Sequence, residues 1–155
     1  MSQIPDPLPD AGLEESAVLV VDDNEQNLEL MQAYLEDLGC PVLTARDGIE
    51  AVRMVEEHQP DIVLLDVMMP RMSGFQACKK IKSDPTTRDI PIVMVTALNE
   101  VGDIERAVES GADDFLTKPV NRLELLTRVR SLMRVRQLRR QLDRTLDEMR
   151  RLRED

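Results

Sequence analysis

The sequence predicts an α/β fold in which a five-stranded, parallel, doubly wound sheet is covered by helices on both faces. Short apolar segments alternate with amphipathic segments of helical period along most of the 155 residues, an order typical of parallel sheets. The apolar segments are continuous, as expected for strands that are buried on both faces. Hydrophobic residues make up 42% of the chain, which suffices for a core in a domain of this size.

The first predicted unit is a strand, Ala17–Val21, followed by a helix. The helix is predicted from apolar residues at helical spacing, namely Leu28, Met31, Leu35 and Leu38. Gly39 follows them, and glycine is common directly after a helix end. The second unit begins with the strand Val42–Ala45. The apolar face of its helix is predicted to comprise Ile49, Val52 and Val55.

The remaining units repeat this order. The third strand is Ile62–Leu65, and a helix is predicted over residues 75–81. The fourth strand is Ile92–Val95, and its helix should end near Gly111. Ile104, Ala107 and Val108 mark that fourth helix. The fifth strand is Phe115–Thr117, and a long final helix is predicted to begin near Asn121.

Both ends of the chain are predicted to lie outside this domain. Residues 1–16 are acidic and contain three prolines, so we expect a mobile leader. The domain should span residues 17–134 and continue into a helical extension over residues 135–155. Residues 1–127 carry 25 acidic and 10 basic residues, a net of −15, whereas residues 128–155 carry 5 acids and 10 arginines, a net of +5. The acidic body disfavours a nucleic-acid partner.

The composition also excludes several kinds of site. Cys40 and Cys78 are too few for a disulfide scaffold, and a single histidine leaves no Cys/His set for zinc. No apolar run reaches the length of a membrane span, and the N-terminus lacks the pattern of a signal peptide. We therefore expect a cytoplasmic protein with no membrane partner.

Charged and polar residues follow four of the predicted strands. Asp22 and Asp23 follow the first strand and Asp66 the third. Thr96 ends the fourth strand and Lys118 follows the fifth. Each residue alone has an ordinary structural explanation, since an acid after a strand is commonly a helix N-cap. Because the carboxyl ends of parallel strands share one edge of the sheet, where ligands bind, we expect these side chains to converge.

This set of residues predicts phosphoryl transfer to an aspartate. Neighbouring carboxylates repel one another, and a site with oxygen ligands alone favours Mg²⁺ as the neutralising cation. An aspartate beside Mg²⁺ and a lysine can accept a phosphoryl group as an acyl phosphate. Asp66, which ends an otherwise apolar segment, is the predicted acceptor.

These motifs resemble the receiver domain of bacterial two-component response regulators over about residues 17–134. The matching segments are Val18–Asn24, Leu65–Gly74, Val95–Ala97 and Gly111–Pro119. The resemblance implies a flavodoxin-like receiver fold, Asp66 as the phosphoacceptor and Mg²⁺ as the cofactor. It further implies that a histidine kinase or phosphotransfer protein supplies the phosphoryl group.

The resemblance also implies the ligands of the metal. Asp23 would bind Mg²⁺ directly and Asp22 mainly through water. Asp66 and the main-chain carbonyl of Met68 would complete the protein ligands.

Four further residues would bind the phosphoryl group or respond to it. Thr96 and Ala97 match the motif at the end of the fourth strand, and Lys118 would pair with the phosphoryl group. Phe115 would be the aromatic switch residue. A phenylalanine ring cannot form the hydrogen bond of a tyrosine or histidine, so its signal would depend on packing.

Within this family, the segment Asp113–Val120 and the leucine-rich sequence after it are most similar to receivers that precede diguanylate cyclase or related output domains. No Gly-Gly-Asp/Glu-Glu-Phe loop occurs in the sequence. The resemblance implies a phosphorylation-dependent switch, not an enzyme, that signals through its fourth helix, fifth strand and fifth helix.

Two alternative functions are disfavoured. An aspartate-nucleophile phosphatase would favour a second acid where this chain has Met68. A structural dimerisation module with an inactive receiver is disfavoured because every chemical position is filled.

The extension carries a heptad pattern. The residues of this seam are spaced 3, 4, 3, 4 and 3 positions apart, and they are Val135, Leu138, Leu142, Thr145, Met149 and Leu152. We expect a parallel two-stranded coiled coil, and therefore a homodimer. A lone helix with a solvated arginine face, or contact of the arginines with nucleic acid, are the open alternatives.

Overall fold

The computed structural model describes residues 16–97 and 101–154. Apart from Ser16, the predicted leader lies outside the described residues. In these two ranges, five parallel strands form one sheet in the order β2-β1-β3-β4-β5. The strands are β1 (Val18–Val21), β2 (Val42–Ala45), β3 (Ile62–Leu65), β4 (Ile92–Thr96) and β5 (Asp114–Thr117). The predicted fold class is confirmed, and each strand agrees with its prediction to within one residue.

Within the described residues, five helices connect and follow the strands. They are α1 (Glu25–Leu35), α2 (Gly48–His58), α3 (Gly74–Ser83), α4 (Val101–Glu109) and α5 (Arg122–Glu154), with a 3₁₀ turn (Glu36–Leu38) after α1. Among the described residues, side chains at the starts of four helices accept a hydrogen bond from the main-chain N–H three residues later. These capping residues are Asn24, Asp47, Ser73 and Asn121. None of the described helices is both long enough and apolar enough to cross a membrane.

The core consists of two apolar layers, one on each face of the sheet. Successive residues of β1 alternate between them, because side chains of a strand point to opposite faces. Val18 and Val20 pack with α1 and α5, whereas Leu19 and Val21 pack with α2, α3 and α4. The sheet is therefore covered on both sides, which explains why its strands are continuously apolar.

In two helices, only some of the apolar residues that mark the helix face the core. In α2, Val52 and Val55 are buried as predicted, but Ile49 lies at the margin of that face and is half-exposed. In α4, Ala107 is buried, whereas Ile104 and Val108 are 43% and 68% exposed. The spacing correctly indicated a helix. The small side chain of Ala107 lets α4 approach the sheet on one side of the apolar stripe of the helix.

The last helix packs on the sheet over only its first part. Leu125, Leu126, Val129 and Met133 are buried, and the helix continues for about six more turns beyond Met133. The long final helix predicted to begin near Asn121 is thus present and begins at Arg122. All six residues of the predicted seam are exposed.

Candidate functional site

The predicted site residues converge at the carboxyl edge of the sheet. β1, β3, β4 and β5 are successive neighbours, and the strand hydrogen bonding extends one residue past their ends. The N–H of Asp66 donates to the carbonyl of Val21 (3.0 Å), and the N–H of Lys118 donates to the carbonyl of Thr96 (2.8 Å). These main-chain contacts fix the backbone on which the acidic and basic side chains are mounted.

Three carboxylates form the acidic part of the site. One oxygen from each of Asp22, Asp23 and Asp66 lies within 4.8 Å of the others. Asp22 and Asp66 are only 4% and 6% exposed, whereas Asp23 is open to solvent. Buried acids together with an accessible one form an oxygen-only cluster that a divalent cation can enter from the solvent side. The donor set fits Mg²⁺, which is bound by carboxylates and retains several waters.

Lys118 lies across from the buried acids. Its Nζ is 2.7 Å from Oδ2 of Asp22 and 3.4 Å from Oδ2 of Asp66. The second oxygen of Asp22 accepts the main-chain N–H of Asn24 at 2.9 Å. Asp22 is therefore held on both sides, whereas the contacts of Asp66 with Lys118 and with the N–H of Met68 are longer, at 3.4 Å each.

Burial and charge act in opposite directions on the ionisable groups. Burial raises the pKa of Asp66, and the nearby charge and hydrogen bond of Lys118 only partly offset that rise. Burial lowers the pKa of Lys118, but its hydrogen bond to Asp22 and the charge of Asp66 outweigh burial, so the pKa lies above that of an ordinary lysine. The site therefore holds a firmly protonated lysine beside a carboxylate whose charged form is disfavoured by burial.

The residues assigned to the phosphoryl response surround this cluster. Thr96 is fully buried at the end of β4, in register with Thr117 of β5, and Ala97 beside it is exposed. Phe115 is half-buried and packs against the core layer of α2, α3 and α4. The side chain of Met68 is exposed, and its N–H lies 3.4 Å from Oδ1 of Asp66. The roles of these residues stay predictions, although their positions around the acidic cluster fit them.

Two glycines hold the loop that carries Asp66, a role that the sequence analysis missed. A Cβ on Gly74 would lie 2.2 Å from the carbonyl oxygen of Asp66 and 2.8 Å from Cα of Val67. A Cβ on Gly48 would lie 2.5 Å from the carbonyl oxygen of Met72. The starts of α3 and α2 therefore pack directly against the loop backbone. The spacing of Gly74 from Asp66 was visible in the sequence, but the contact depends on tertiary structure.

A second feature missed from the sequence lies beside the site. The guanidinium carbon of Arg106 is 4.4 Å from the centroid of the Phe75 ring, a cation–π contact between α4 and α3. Both side chains line a groove that also contains Asp23 and Met68. Because the burial of α4 is slight, this contact contributes to holding the helix beside the site.

Comparison with known proteins identifies the domain type. Residues 18–130 match the family described as the response regulator receiver domain. Response regulator PleD of Caulobacter vibrioides is 54% identical over 117 residues, which cover 76% of this chain and 26% of that protein. The DNA-binding dual master transcriptional regulator RpaA of Synechocystis is 41% identical, with coverage of 76% and 48%. The chain therefore spans half or less of the length of these curated relatives.

Solved structures give the same result. The receiver domain of a signal transduction histidine kinase from Syntrophus aciditrophicus superposes with a TM-score of 0.72 at 36% identity, covering 76% of this chain and 89% of that one. The receiver domain of a sensor histidine kinase from Pseudomonas aeruginosa gives 0.71 at 34% identity, with coverage of 76% and 97%. The latter structure is described as having a magnesium ion coordinated in its active-site cleft.

Proposed function

Since the chain belongs to the family of response regulator receiver domains, we propose that Asp66 is its phosphoacceptor. Receiver domains of this family are signalling switches that accept a phosphoryl group on an aspartate in the presence of Mg²⁺. The observation that supports Asp66 is its position among two further carboxylates and Lys118. Asp22, the other buried acid, is already bound by Lys118 and by a main-chain N–H.

The proposed reaction follows from this geometry. A carboxylate oxygen of Asp66 attacks the phosphorus of a phosphohistidine on a kinase or phosphotransfer protein, and the P–N bond breaks as the imidazole leaves. Lys118 carries the positive charge nearest Asp66 and stabilises charge on the moving phosphoryl group. Bound Mg²⁺, held by Asp23, Asp22, Asp66 and the Met68 carbonyl, would neutralise the acids and the phosphoryl oxygens. Thr96, at the end of β4, would orient a phosphoryl oxygen.

Labelling with a small phosphodonor tests this assignment. Acetyl phosphate and Mg²⁺ should attach one phosphoryl group per chain, and mass spectrometry should locate it on Asp66. Asp66→Asn should abolish labelling because the amide is not a nucleophile. Gln76→Glu is a matched control, since it changes an exposed side chain on the adjacent helix. Labelling of Asp66→Asn at another residue would show that the acceptor is misassigned.

We propose that the chain is not itself a hydrolase for external substrates. An aspartate-nucleophile phosphatase needs a general acid close to its nucleophile, and the residue two positions after Asp66 is Met68, with an exposed thioether side chain. Turnover of a phosphomonoester such as p-nitrophenyl phosphate should therefore be absent. Repeated turnover that is lost in Asp66→Asn would contradict the proposal.

We further propose that the extension forms a parallel homodimer. Successive residues of an α-helix are rotated by 100° about the helix axis. The mean direction of the α5 residues that are buried on the sheet therefore lies about 170° from the mean direction of the predicted seam. The seam is therefore on the far side of the helix and cannot be covered by the receiver of the same chain. The exposed seam residues Leu138, Leu142 and Met149 repeat at heptad spacing, which a second copy of the same helix would match.

Sedimentation tests the dimer. Leu138→Glu with Leu142→Glu places two charges in the seam, where burial is costly, and should give a monomer that still accepts a phosphoryl group. Arg144→Glu is a control that changes net charge equally but lies off the seam, and it should remain dimeric. A wild-type chain that is monomeric with and without phosphodonor would leave a lone helix. Binding of duplex DNA that is lost in Arg144→Glu would favour nucleic-acid contact instead.

The remaining parts of the function are also proposals. We propose a cytoplasmic protein whose partner is a histidine kinase or phosphotransfer protein. Its signal would leave through α4, β5 and the extension of α5 towards an output of the type found in cyclic-dinucleotide regulators. The similarity of the receiver to response regulator PleD supports this direction. Phosphotransfer from a panel of purified kinases would identify the partner.

A further inference from the structure

The edge of the sheet opposite the phosphoacceptor carries an ion-pair cluster that links the extension to the sheet. Asp61 immediately precedes β3. One oxygen of its carboxylate accepts the N–H of Ala17, just before β1, at 2.9 Å. The other oxygen lies 3.4 Å from Nε of Arg136 and 3.1 Å from a terminal nitrogen of Arg140. Both arginines lie on α5 beyond Met133, its last buried residue.

This cluster is partly protected from solvent. The side chains of Asp61 and Arg136 are 14% and 11% exposed, so their pairing is screened less than that of a surface salt bridge. Arg136 also donates to the main-chain carbonyl of Asp89 at 3.1 Å. Two successive turns of the extension are therefore attached to the sheet by charge, after the apolar packing has ended.

The position of the cluster along β3 indicates what it can do. Four buried residues, Ile62–Leu65, separate Asp61 from Asp66, a distance of about 17 Å along one strand. The phosphoacceptor and the attachment of the extension thus lie at opposite ends of the same strand. Because Arg136 and Arg140 lie on the sheet-facing side of α5, they leave the seam face free for a partner helix.

We propose that Asp61 is a positioning residue that fixes the first turns of the extension to β3, so that the receiver and the start of the seam move as one body. The inference rests on the proposed phosphorylation and dimerisation. A rearrangement between two phosphorylated receivers would then be imposed on the paired helices. With Asp61 detached, the extension could bend after Met133 and the rearrangement would be absorbed there.

The attachment can be measured without phosphorylation or dimerisation. Hydrogen–deuterium exchange is followed in the full chain carrying Leu138→Glu and Leu142→Glu, whose extension should not pair. Amides of residues 134–141 should exchange about tenfold or more slowly than those of residues 147–154, because charged hydrogen bonds hold the first group. Asp61→Asn should remove most of this protection, and Arg140→Gln should remove part of it because Arg136 keeps its contact with Asp61. Arg139→Gln, the neighbouring exposed arginine, should not. Equal exchange in the two segments before either change would overturn the attachment.

The coupling is then tested in the otherwise wild-type chain. The dimer dissociation constant is measured by sedimentation with and without acetyl phosphate and Mg²⁺. Asp61→Asn and Arg140→Gln should each move the ratio of the dissociation constants without and with phosphodonor towards one. The double variant should change this ratio no more than Asp61→Asn alone. Labelling of Asp66 should stay within about twofold of wild type, since the cluster lies at the other end of the strand. Arg140→Gln removes a half-exposed side chain, so it remains informative if Asp61→Asn folds poorly.

The outcomes separate this inference from the proposed function. A wild-type chain that is not labelled, or that never dimerises, contradicts the proposed function, and the exchange experiment still decides the attachment. Some variants will have lost protection from hydrogen exchange over residues 134–141. If phosphorylation changes their dimer dissociation constant as much as it does in the wild type, the coupling role of Asp61 is overturned.

Discussion

Gly74→Ala should disturb the phosphoacceptor loop although residue 74 has no side chain at the site. The added methyl carbon would lie 2.2 Å from the carbonyl oxygen of Asp66 and 2.8 Å from Cα of Val67. Non-bonded carbon atoms prefer a separation of about 3.5 Å or more, so the loop must move by about 1 Å. The hydrogen bond from Gly74 N–H to the carbonyl of Val67, 2.9 Å long, lies in the same contact and would be strained.

The expected cost follows from these contacts. Overpacking against a fixed backbone costs about 1–3 kcal/mol, and loss of the hydrogen bond costs about 1 kcal/mol. Replacing glycine by alanine in a helix returns up to about 1 kcal/mol. The free energy of unfolding should therefore fall by about 1–3 kcal/mol. A 1 Å misplacement of a reacting group can slow a reaction by about 100-fold, so labelling of Asp66 should slow by one to two orders of magnitude.

Gly102→Ala is the matched control, because a Cβ there meets nothing within 4 Å and the residue also lies in a helix. It should leave stability unchanged or raise it by about 0.5 kcal/mol. Urea unfolding gives the stability of both variants, and a time course with acetyl phosphate gives the labelling rate. If Gly74→Ala is as stable and as rapidly labelled as Gly102→Ala, the loop can yield without displacing Asp66 and the argument from the contact is wrong.

Three other predictions concern charge at the site. Asp23→Ala should weaken Mg²⁺ binding more than Asp22→Ala in a direct titration, because Asp22 is already bound by Lys118; equal losses would contradict the predicted direct and water-mediated roles. Burial holds the pKa of Asp66 above its ordinary value, so its charged form destabilises the fold at neutral pH, and Asp66→Asn should raise the free energy of unfolding at pH 7. That gain should shrink as the pH falls through the folded pKa and vanish below about 4, the unfolded value; a gain independent of pH would point to another cause. Lys118→Met should raise the pKa of Asp66 further, since Lys118 lowers it. NMR titration of the Asp66 carboxyl in the metal-free protein measures this pKa, and an unchanged value would show that the pairing is unimportant.

The strands and the residues at their carboxyl ends were predictable from local sequence. A parallel sheet covered on both faces needs continuous apolar strands, so Ile62–Leu65 could be identified without any knowledge of its neighbours. The carboxyl ends of such strands share one edge, and this rule brought Asp22, Asp66 and Lys118 together before their distances were known. The heptad spacing of the extension likewise indicated a continuous helix.

Tertiary structure decided which side of each helix faces the core. The apolar stripe of α4 includes Ile104 and Val108, but the helix approaches the sheet through Ala107, because periodicity defines a stripe and not the direction of its neighbour. The contact of Gly74 with the Asp66 carbonyl depends on how α3 docks, and no local pattern encodes it.

The attachment of the extension also could not be predicted from the sequence. Asp61 and its partners Arg136 and Arg140 are separated by 75 and 79 positions. Arginines in a solvated helix are usually surface residues with little energetic effect. These become partners of a half-buried acid only because α5 runs back across the sheet from the phosphoacceptor edge to the edge where β3 begins. The sequence by itself determined the elements and the chemistry of one sheet edge, and the packing of a helix against a distant strand determined what lies at the other.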